Sequence, residues 1–470
     1  MKRLSLSEIA RLTGGRLRGD DGGRESTIDV VCTDTRALPA EGAALFVALK
    51  GERFDGHDHV AGLAHTAVAA ALVSREIDAP IAQVIVADTQ QALADLAAGV
   101  QAQRAGNTVV AITGSNGKTS VKALTAAILE RAGKTYATPG NRNNEIGLPL
   151  AVLDAPEDAR YSIYEMGAGK PGDIAYLVRV ARPDVSLVNN IAPAHLERMG
   201  SLLGIADTKA AIYDALPDGG VAAINADDAF APYFEQRVLE QRAAGRRVIR
   251  FGLDASAEVT ASDVRVGTEG STFALVTALG RVEIALKLVG RHNVRNALAA
   301  ASLALGAGVS LQHIADGLNA AQPVDGRLIT HRLPGGAVLI DDSYNANPGS
   351  TGAAIDTLAE MGGENWLVLG AMREIGDEEI AMHAEIGRRA KAAGLRRLYA
   401  LGELPAAAAA AFGDGARTFA SHDELAAALA AELAAGVRVL VKGSHSSAMD
   451  KIVTALLSAH RPGEGTTHVA

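Results

Sequence analysis

Thr108-Val109-Val110-Ala111-Ile112-Thr113-Gly114-Ser115-Asn116-Gly117-Lys118-Thr119-Ser120 is the stretch on which the fold turns. Its first six residues are apolar and rich in β-branched side chains, the pattern of a strand buried on both faces. A glycine turn follows, then a helix whose apolar face is Val121, Leu124, Ile128 and Leu129, with Gly133 as its C-cap. A strand, a glycine loop and a helix N-terminus in that order aim backbone N–H groups at one point, which makes an anion site. Gly114, Ser115, Asn116, Gly117 and Ser120 are expected to cradle phosphates. Lys118 would reach the terminal phosphates, and the Thr119 hydroxyl would ligate Mg²⁺. The strict phosphate-loop pattern has a glycine five residues before Gly117, where this chain has Ile112. The loop is therefore a shortened variant of the common one.

Working outward, strand patterns at 161–164, 185–188 and 221–224 alternate with helical stretches, which predicts a parallel sheet covered on both faces. Beyond Pro323, strand patterns at 335–340, 366–369, 398–401 and 437–441 predict a second α/β unit. Ala-rich runs at 406–411 and 426–435 read as helices. Before Asn107 lie a short helix at 4–12, apolar runs at 44–48 and 84–87, and a polar turn at 19–23. The expectation is an α/β protein of three domains at 1–105, 106–322 and 323–470, with a loose polar tail over 461–470. A chain of 470 residues suits about three domains.

Lys plus Arg number 45 and Asp plus Glu 54, a net charge of −9 that suits no general nucleic-acid binder. Hydrophobic residues make up 48 % and aromatics 4 %, so the core must be built from Ala, Val, Leu and Ile, and disorder is excluded. Cys32 is the only cysteine, so no disulfide can form within the chain, which fits a reducing cytoplasm. The start, MKRLSLSEIARLTGG, lacks a signal-peptide apolar core, and no run approaches the roughly 18 apolar residues of a membrane span. A soluble, cytoplasmic, monomeric protein is expected.

The loop Thr113 to Thr119 resembles the ATP loop of the Mur ligases, which build the peptide of bacterial cell-wall precursors. Three further segments resemble that family: Thr138-Pro139-Gly140-Asn141-Arg142-Asn143-Asn144-Glu145-Ile146-Gly147-Leu148-Pro149, Gly290-Arg291-His292-Asn293-Val294-Arg295-Asn296 and Asp341-Asp342-Ser343-Tyr344-Asn345-Ala346-Asn347-Pro348. Together they span nearly the whole chain. The resemblance implies three domains: a small N-terminal one for a UDP substrate, a central ATP-binding one with a mainly parallel sheet, and a Rossmann-like C-terminal one. It also implies the branch of the family that adds D-alanyl-D-alanine to UDP-N-acetylmuramoyl-tripeptide through an acyl phosphate, using ATP and two Mg²⁺ ions.

Glu165 and His195 follow strand patterns, at the carboxyl edge where open α/β sheets bind ligands. The resemblance implies that both belong to the metal site. It also implies a carbamylated Lys209 supporting a second Mg²⁺, although Ala210-Ala211 stand where the family often has Gly-Glu. Asn293 and Asn296 share one helix face and are implied to meet adenine, with helix N-capping as the alternative for Asn293. Arg327 is implied on the γ-phosphate, Asp342 on the ribose, and Tyr344 and Asn347 along the nucleotide. Asn141, Asn143 and Asn144 are implied substrate contacts, and Thr35, Arg36, Phe46 and Lys50 a UDP site. His445 and Ala371 depart from the family's usual Arg and Asp.

Overall fold

The computed structural model describes residues 2–18, 27–193, 196–240, 245–373, 375–376 and 378–459. The expected turn at 19–23 and tail at 461–470 lie outside the described residues.

Thr108–Thr113 is an inner strand of a six-stranded, wholly parallel sheet. Its alternation splits the core in two. Val109 and Ala111 join one apolar cluster with Ile174, Leu177, Ile205 and Ile212, from helices Asp173–Ala181 and Leu202–Asp214. Val110 and Ile112 join the other with Val121, Leu124, Ile128 and Leu298, from helices Lys118–Ala132 and Arg291–Gly306. Both faces are covered, as the continuous apolar run predicts. On one side of this strand lie Tyr161–Glu165 and then Thr135–Ala137; on the other lie Val185–Val188, Val221–Asn225 and Arg247–Phe251. The connections therefore leave Thr108–Thr113 in opposite directions, and the crevice at its carboxyl end is a topological switch point.

A second six-stranded sheet has the order Ile329–Arg332, Val338–Asp342, Val437–Lys442, Glu364–Leu369, Arg397–Leu401, Ala416–Phe419. Only its first pair is antiparallel. A five-stranded sheet near the N-terminus is built from Val30–Cys32, Ala44–Val47, Val68–Val73, Ala82–Ile85 and Arg16–Arg18.

Three features differ from expectation. The first helix is Leu6–Thr13, because Leu4–Ser5 pairs as a strand with Thr27–Ile28 and the Ser5 side chain caps the helix at Glu8 N. The strand expected at 335–340 is Val338–Asp342, since residues 333–337 make the turn from Ile329–Arg332. A three-stranded antiparallel sheet over Thr260–Val266, Ser271–Thr277 and Gly280–Leu286 was not expected. It packs Phe273, Leu275 and Ile284 into the cluster beneath Arg291–Gly306.

Candidate active site

The phosphate loop leaves the buried end of Thr108–Thr113 and needs its glycines. Gly117 has φ +79°, and a Cβ there would lie 2.6 Å from Asn189 Nδ2 and 2.7 Å from Asn296 Oδ1. No side chain caps the helix that Gly117 opens, so its first N–H groups remain directed at the cavity. The loop is held from the neighbouring strand end. Ser115 N donates to Asn190 O at 2.9 Å, Asn116 N to Asn190 Oδ1 at 2.9 Å, and Asn189 Nδ2 to Asn116 O at 2.9 Å. Lys118 Nζ donates to Gly114 O at 2.8 Å. Burial pushes its pKa down, Glu165 pulls against that, and Arg327 adds to the depression.

A cavity of about 250 Å³ lies over this loop, lined among others by Lys118, Thr119, Asn141, Asn143, Glu165 and Arg327. Glu165 Oε1 accepts from Asn143 Nδ2 at 2.9 Å. Glu165 Oε2 is buried without a hydrogen bond, although Lys122 Nζ stands 3.2 Å away, close enough for charge attraction. Burial pushes the Glu165 carboxyl up, but Lys122 and Lys118 outweigh it and hold the group below the ordinary range. The carboxylate is thus ionised, one oxygen bonded to Asn143 and the other ion-paired with Lys122, in a cavity that Thr119 also lines. That donor pair fits Mg²⁺, a hard cation that takes few protein oxygens and completes its shell with water and phosphate. His195 lies outside the described residues. Among the described residues no cluster of three or more His, Cys, Asp or Glu gathers for a metal.

Next to it, about 290 Å³ of cavity is lined by Asn116, Gly117, Asn189, His292, Asn293, Asn296, Arg327, Asp342 and Lys442, among others. A relay of buried amides fills one wall. Asn189 Nδ2 donates to Asn296 Oδ1 at 3.1 Å, and Asn296 Nδ2 to Asn293 Oδ1 at 3.0 Å. Asn293 is not the helix cap, because Gly290 occupies that position and Asn293 Nδ2 donates to Val289 O. His292 is pushed down to about 4, first by burial and then by Lys442 and Arg295, so it is neutral at pH 7. Asp342 is paired with Lys442 at 2.6 Å, both buried. From the second large sheet, the Arg327 guanidinium stacks 4.3 Å over the Tyr344 ring and reaches Thr119 Oγ1 at 3.5 Å. Tyr344 in turn faces His445, with centroids 5.9 Å apart. Asn347 Nδ2 donates to Asn116 Oδ1 at 2.7 Å while its own Oδ1 caps the Pro348–Glu360 helix.

A further cavity of about 550 Å³ has Ser115, Lys118, Asn143, Asn144 and Lys209 in its wall. Ser115, Lys118 and Asn143 line the 250 Å³ cavity as well. Lys209 is 3 % exposed. Its pKa falls to about 7, first through burial and then through Lys118, with Asp173 opposing. Two residues beyond the sequence reading belong to this region: Lys122, one helical turn after Lys118, and Asn189. The spacing of Lys122 from Lys118 placed it on the phosphate-loop face and was the available signal.

The proposed UDP residues do not join these cavities. Thr35 is half-buried, while Arg36 and Lys50 are exposed, with Arg36 ion-paired to Asp34 at 2.7 Å. Phe46 is 1 % exposed and belongs to an apolar cluster with Val60 and Leu63. Nearby, Asp55, His57 and Ser74 stand in the order of a hydrolase triad, with Ser74 Oγ 3.0 Å from His57 Nε2. However, Ser74 N–H also donates to that nitrogen at 2.8 Å, which removes it as an oxyanion donor and marks a structural tie.

A doubly covered parallel sheet, a shortened phosphate loop at its switch point and a second α/β unit supplying an arginine to that loop define a nucleotide-dependent α/β enzyme. The family model of the Mur ligase middle domain matches residues 112–304, and that of the Mur ligase glutamate ligase domain matches residues 326–445. The chain belongs to the Mur ligase family. It is 43 % identical over 97 % of its length, and 99 % of the relative's, to the UDP-N-acetylmuramoyl-tripeptide–D-alanyl-D-alanine ligase of Escherichia coli (strain K12). Its fold matches a crystal structure of MurF from Acinetobacter baumannii with a TM-score of 0.90 at 33 % identity, covering 97 % of this chain and 99 % of that one. It also matches the MurF ligase of Thermotoga maritima in complex with ADP, with a TM-score of 0.82 at 25 % identity over 92 % of this chain and 98 % of that one.

Proposed function

We propose that this chain is the ATP-dependent ligase that joins D-alanyl-D-alanine to UDP-N-acetylmuramoyl-tripeptide in the cytoplasmic synthesis of peptidoglycan precursors. The observation that carries the reading is the pair of adjoining cavities sharing Ser115, Lys118 and Asn143. A phosphoryl donor in the smaller one and a carboxylate in the larger one meet at Lys118. The likeness to ligases of that name along nearly their whole length supplies the substrates.

The reaction runs in two displacements. A carboxylate oxygen of the tripeptide attacks the γ-phosphorus of ATP, the bond to the β-phosphate bridging oxygen breaks, and ADP leaves. The amine of D-alanyl-D-alanine then attacks the acyl carbon, phosphate departs with that carboxylate oxygen, and the amine loses a proton as the amide forms. Lys118 and Arg327 place positive charge around the transferred group, where preorganised electrostatics do most of the work of phosphoryl transfer. Arg327 suits this because guanidinium stays charged and binds phosphate in a forked geometry. Thr119 and Glu165 would hold Mg²⁺, which neutralises phosphate charge when bound. The amides of Asn293 and Asn296 suit a purine edge, and Asp342 suits a ribose hydroxyl. A neutral fraction of Lys209 near pH 7 is open to carbamylation, which exchanges a cation for an oxygen anion of the kind Mg²⁺ prefers. The small sheet within 1–105 would hold UDP, 106–322 ATP, and 323–470 the incoming dipeptide, in a monomer.

Mass spectrometry of reactions containing ATP, Mg²⁺, UDP-N-acetylmuramoyl-tripeptide and a panel of amines tests this. The expected product is the pentapeptide amide with D-alanyl-D-alanine alone, and ¹⁸O from the tripeptide carboxylate appears in phosphate. Amide formation with single amino acids in preference, or unlabelled phosphate, overturns it.

A further inference from the structure

Lys122 is buried on the inner face of helix Lys118–Ala132, at 7 % exposure. An ammonium has three N–H donors and no acceptor. Here it has three oxygens to face: Thr138 O at 2.9 Å, Gly140 O at 3.0 Å and Glu165 Oε2 at 3.2 Å. The two carbonyls belong to the turn that leads into Asn141 and Asn143. The carboxylate is the one whose other oxygen accepts from Asn143. The same turn is tied down again where Glu165 N donates to Thr138 Oγ1 at 3.2 Å and Gly167 N to Asn143 O at 2.8 Å. Lys122 therefore joins the 138–140 turn to Oε2 of Glu165 through one head group.

We propose that Lys122 is a positioning residue for the ligase reaction: from the phosphate-loop helix it sets both the Asn141–Asn144 loop and the Glu165 carboxylate. The inference rests on the proposed placing of the tripeptide carboxylate in the cavity walled by Asn143 and Asn144, which makes 141–144 a substrate loop. Its consequence is a fixed distance between the two cavities that share Asn143, so the acceptor carboxylate is presented to the phosphoryl donor in one register. Losses of this kind are commonly 10- to 100-fold, because near-attack geometry is sensitive to displacements of about 1 Å.

The test compares K122M, which keeps an unbranched chain one atom shorter and removes all three donors, with wild type and with N143A. For K122M, kcat/KM for UDP-N-acetylmuramoyl-tripeptide falls by about 30-fold. Its Kd for ADP without Mg²⁺ stays within about threefold, and amide hydrogen exchange rises in residues 138–145. A merely structural tie lowers the melting temperature and leaves the substrate KM and kcat alone. K122M with wild-type kcat/KM and exchange, beside a crippled N143A, overturns the inference. Wild-type behaviour of both variants overturns the substrate-loop reading beneath it. If K122M does not fold, K122Q decides, since its amide can serve one carbonyl but carries no charge for Glu165. The same loss of kcat/KM is required of it, and wild-type turnover refutes the proposal.

Discussion

Lys209 should make the protein less stable than it could be, by an amount that depends on pH in a defined sense. Its pKa is about 7 in the fold against an ordinary 10.5. The unfolded chain therefore binds more protons than the folded one between those values, and stability rises with pH across that window. Integrating the two titrations gives a penalty of about 4 kcal/mol at pH 7 and about 2 kcal/mol at pH 9. Lys209→Met keeps an unbranched chain of similar length and removes the charge. It should raise the denaturant midpoint, with a gain at pH 7 about twice that at pH 9. The comparison belongs in CO₂-free buffer, where wild-type Lys209 cannot carbamylate. The same variant should be inactive, and Lys209→Ala should regain part of its activity from a small added carboxylate. A Lys209→Met protein no more stable than wild type at pH 7, or a gain that does not shrink by pH 9, refutes the electrostatic argument.

Lys118→Ala should abolish ligation while leaving binding of the UDP substrate, measured calorimetrically, within about twofold, because the UDP contacts proposed for 1–105 lie apart from the phosphate loop. Asn347→Asp should separate two roles of one side chain. Asp caps helices as well as Asn does, so the melting temperature should hold, but two oxygens would face each other at Asn116 and the KM for ATP should rise several-fold. An unchanged KM would show that the Asn116–Asn347 contact carries no part of nucleotide binding.

What was legible in the sequence follows from how locally each feature is encoded. The run 108–120 carried strand, loop and helix together, since burial on both faces, the need for φ > 0 at Gly117 and the phosphate chemistry all fall within thirteen neighbouring residues. The antiparallel strands over 260–286 were not legible. They mix apolar residues with exposed charges such as Glu283, and only packing against Arg291–Gly306 shows which face is core. The N-terminal strand Leu4–Ser5 depends on a partner at Thr27–Ile28, which no local pattern reveals. The capping signal of Ser5 followed by Glu8 was present, and would have moved the helix start to Leu6. The paired roles of Lys122 and Lys442 were illegible for the same reason as most buried ion pairs, since their partners Glu165 and Asp342 are tens of residues away.

The division of the nucleotide cavities between two sheets has a chemical consequence. The first large sheet supplies Lys118, Thr119 and Glu165; the second supplies Arg327, Tyr344, Asn345 and Asn347 to the same 250 Å³. An acyl phosphate hydrolyses if water reaches it before the amine, so the step that forms it must be confined to a closed site. Arg327 comes to the phosphate loop from the second unit, reaching Thr119 Oγ1 at 3.5 Å with its guanidinium carbon 4.3 Å over the Tyr344 ring. If the proposed acyl-phosphate route holds, a phosphate-loop arginine supplied by the second unit ties activation of the carboxylate to contact between the two units. Asn347 makes a second tie between the units, since one amide both caps helix Pro348–Glu360 and bonds Asn116 in the phosphate loop. The departure at His445 contacts Tyr344, the same ring over which Arg327 lies. It therefore bears on how the second unit holds Tyr344.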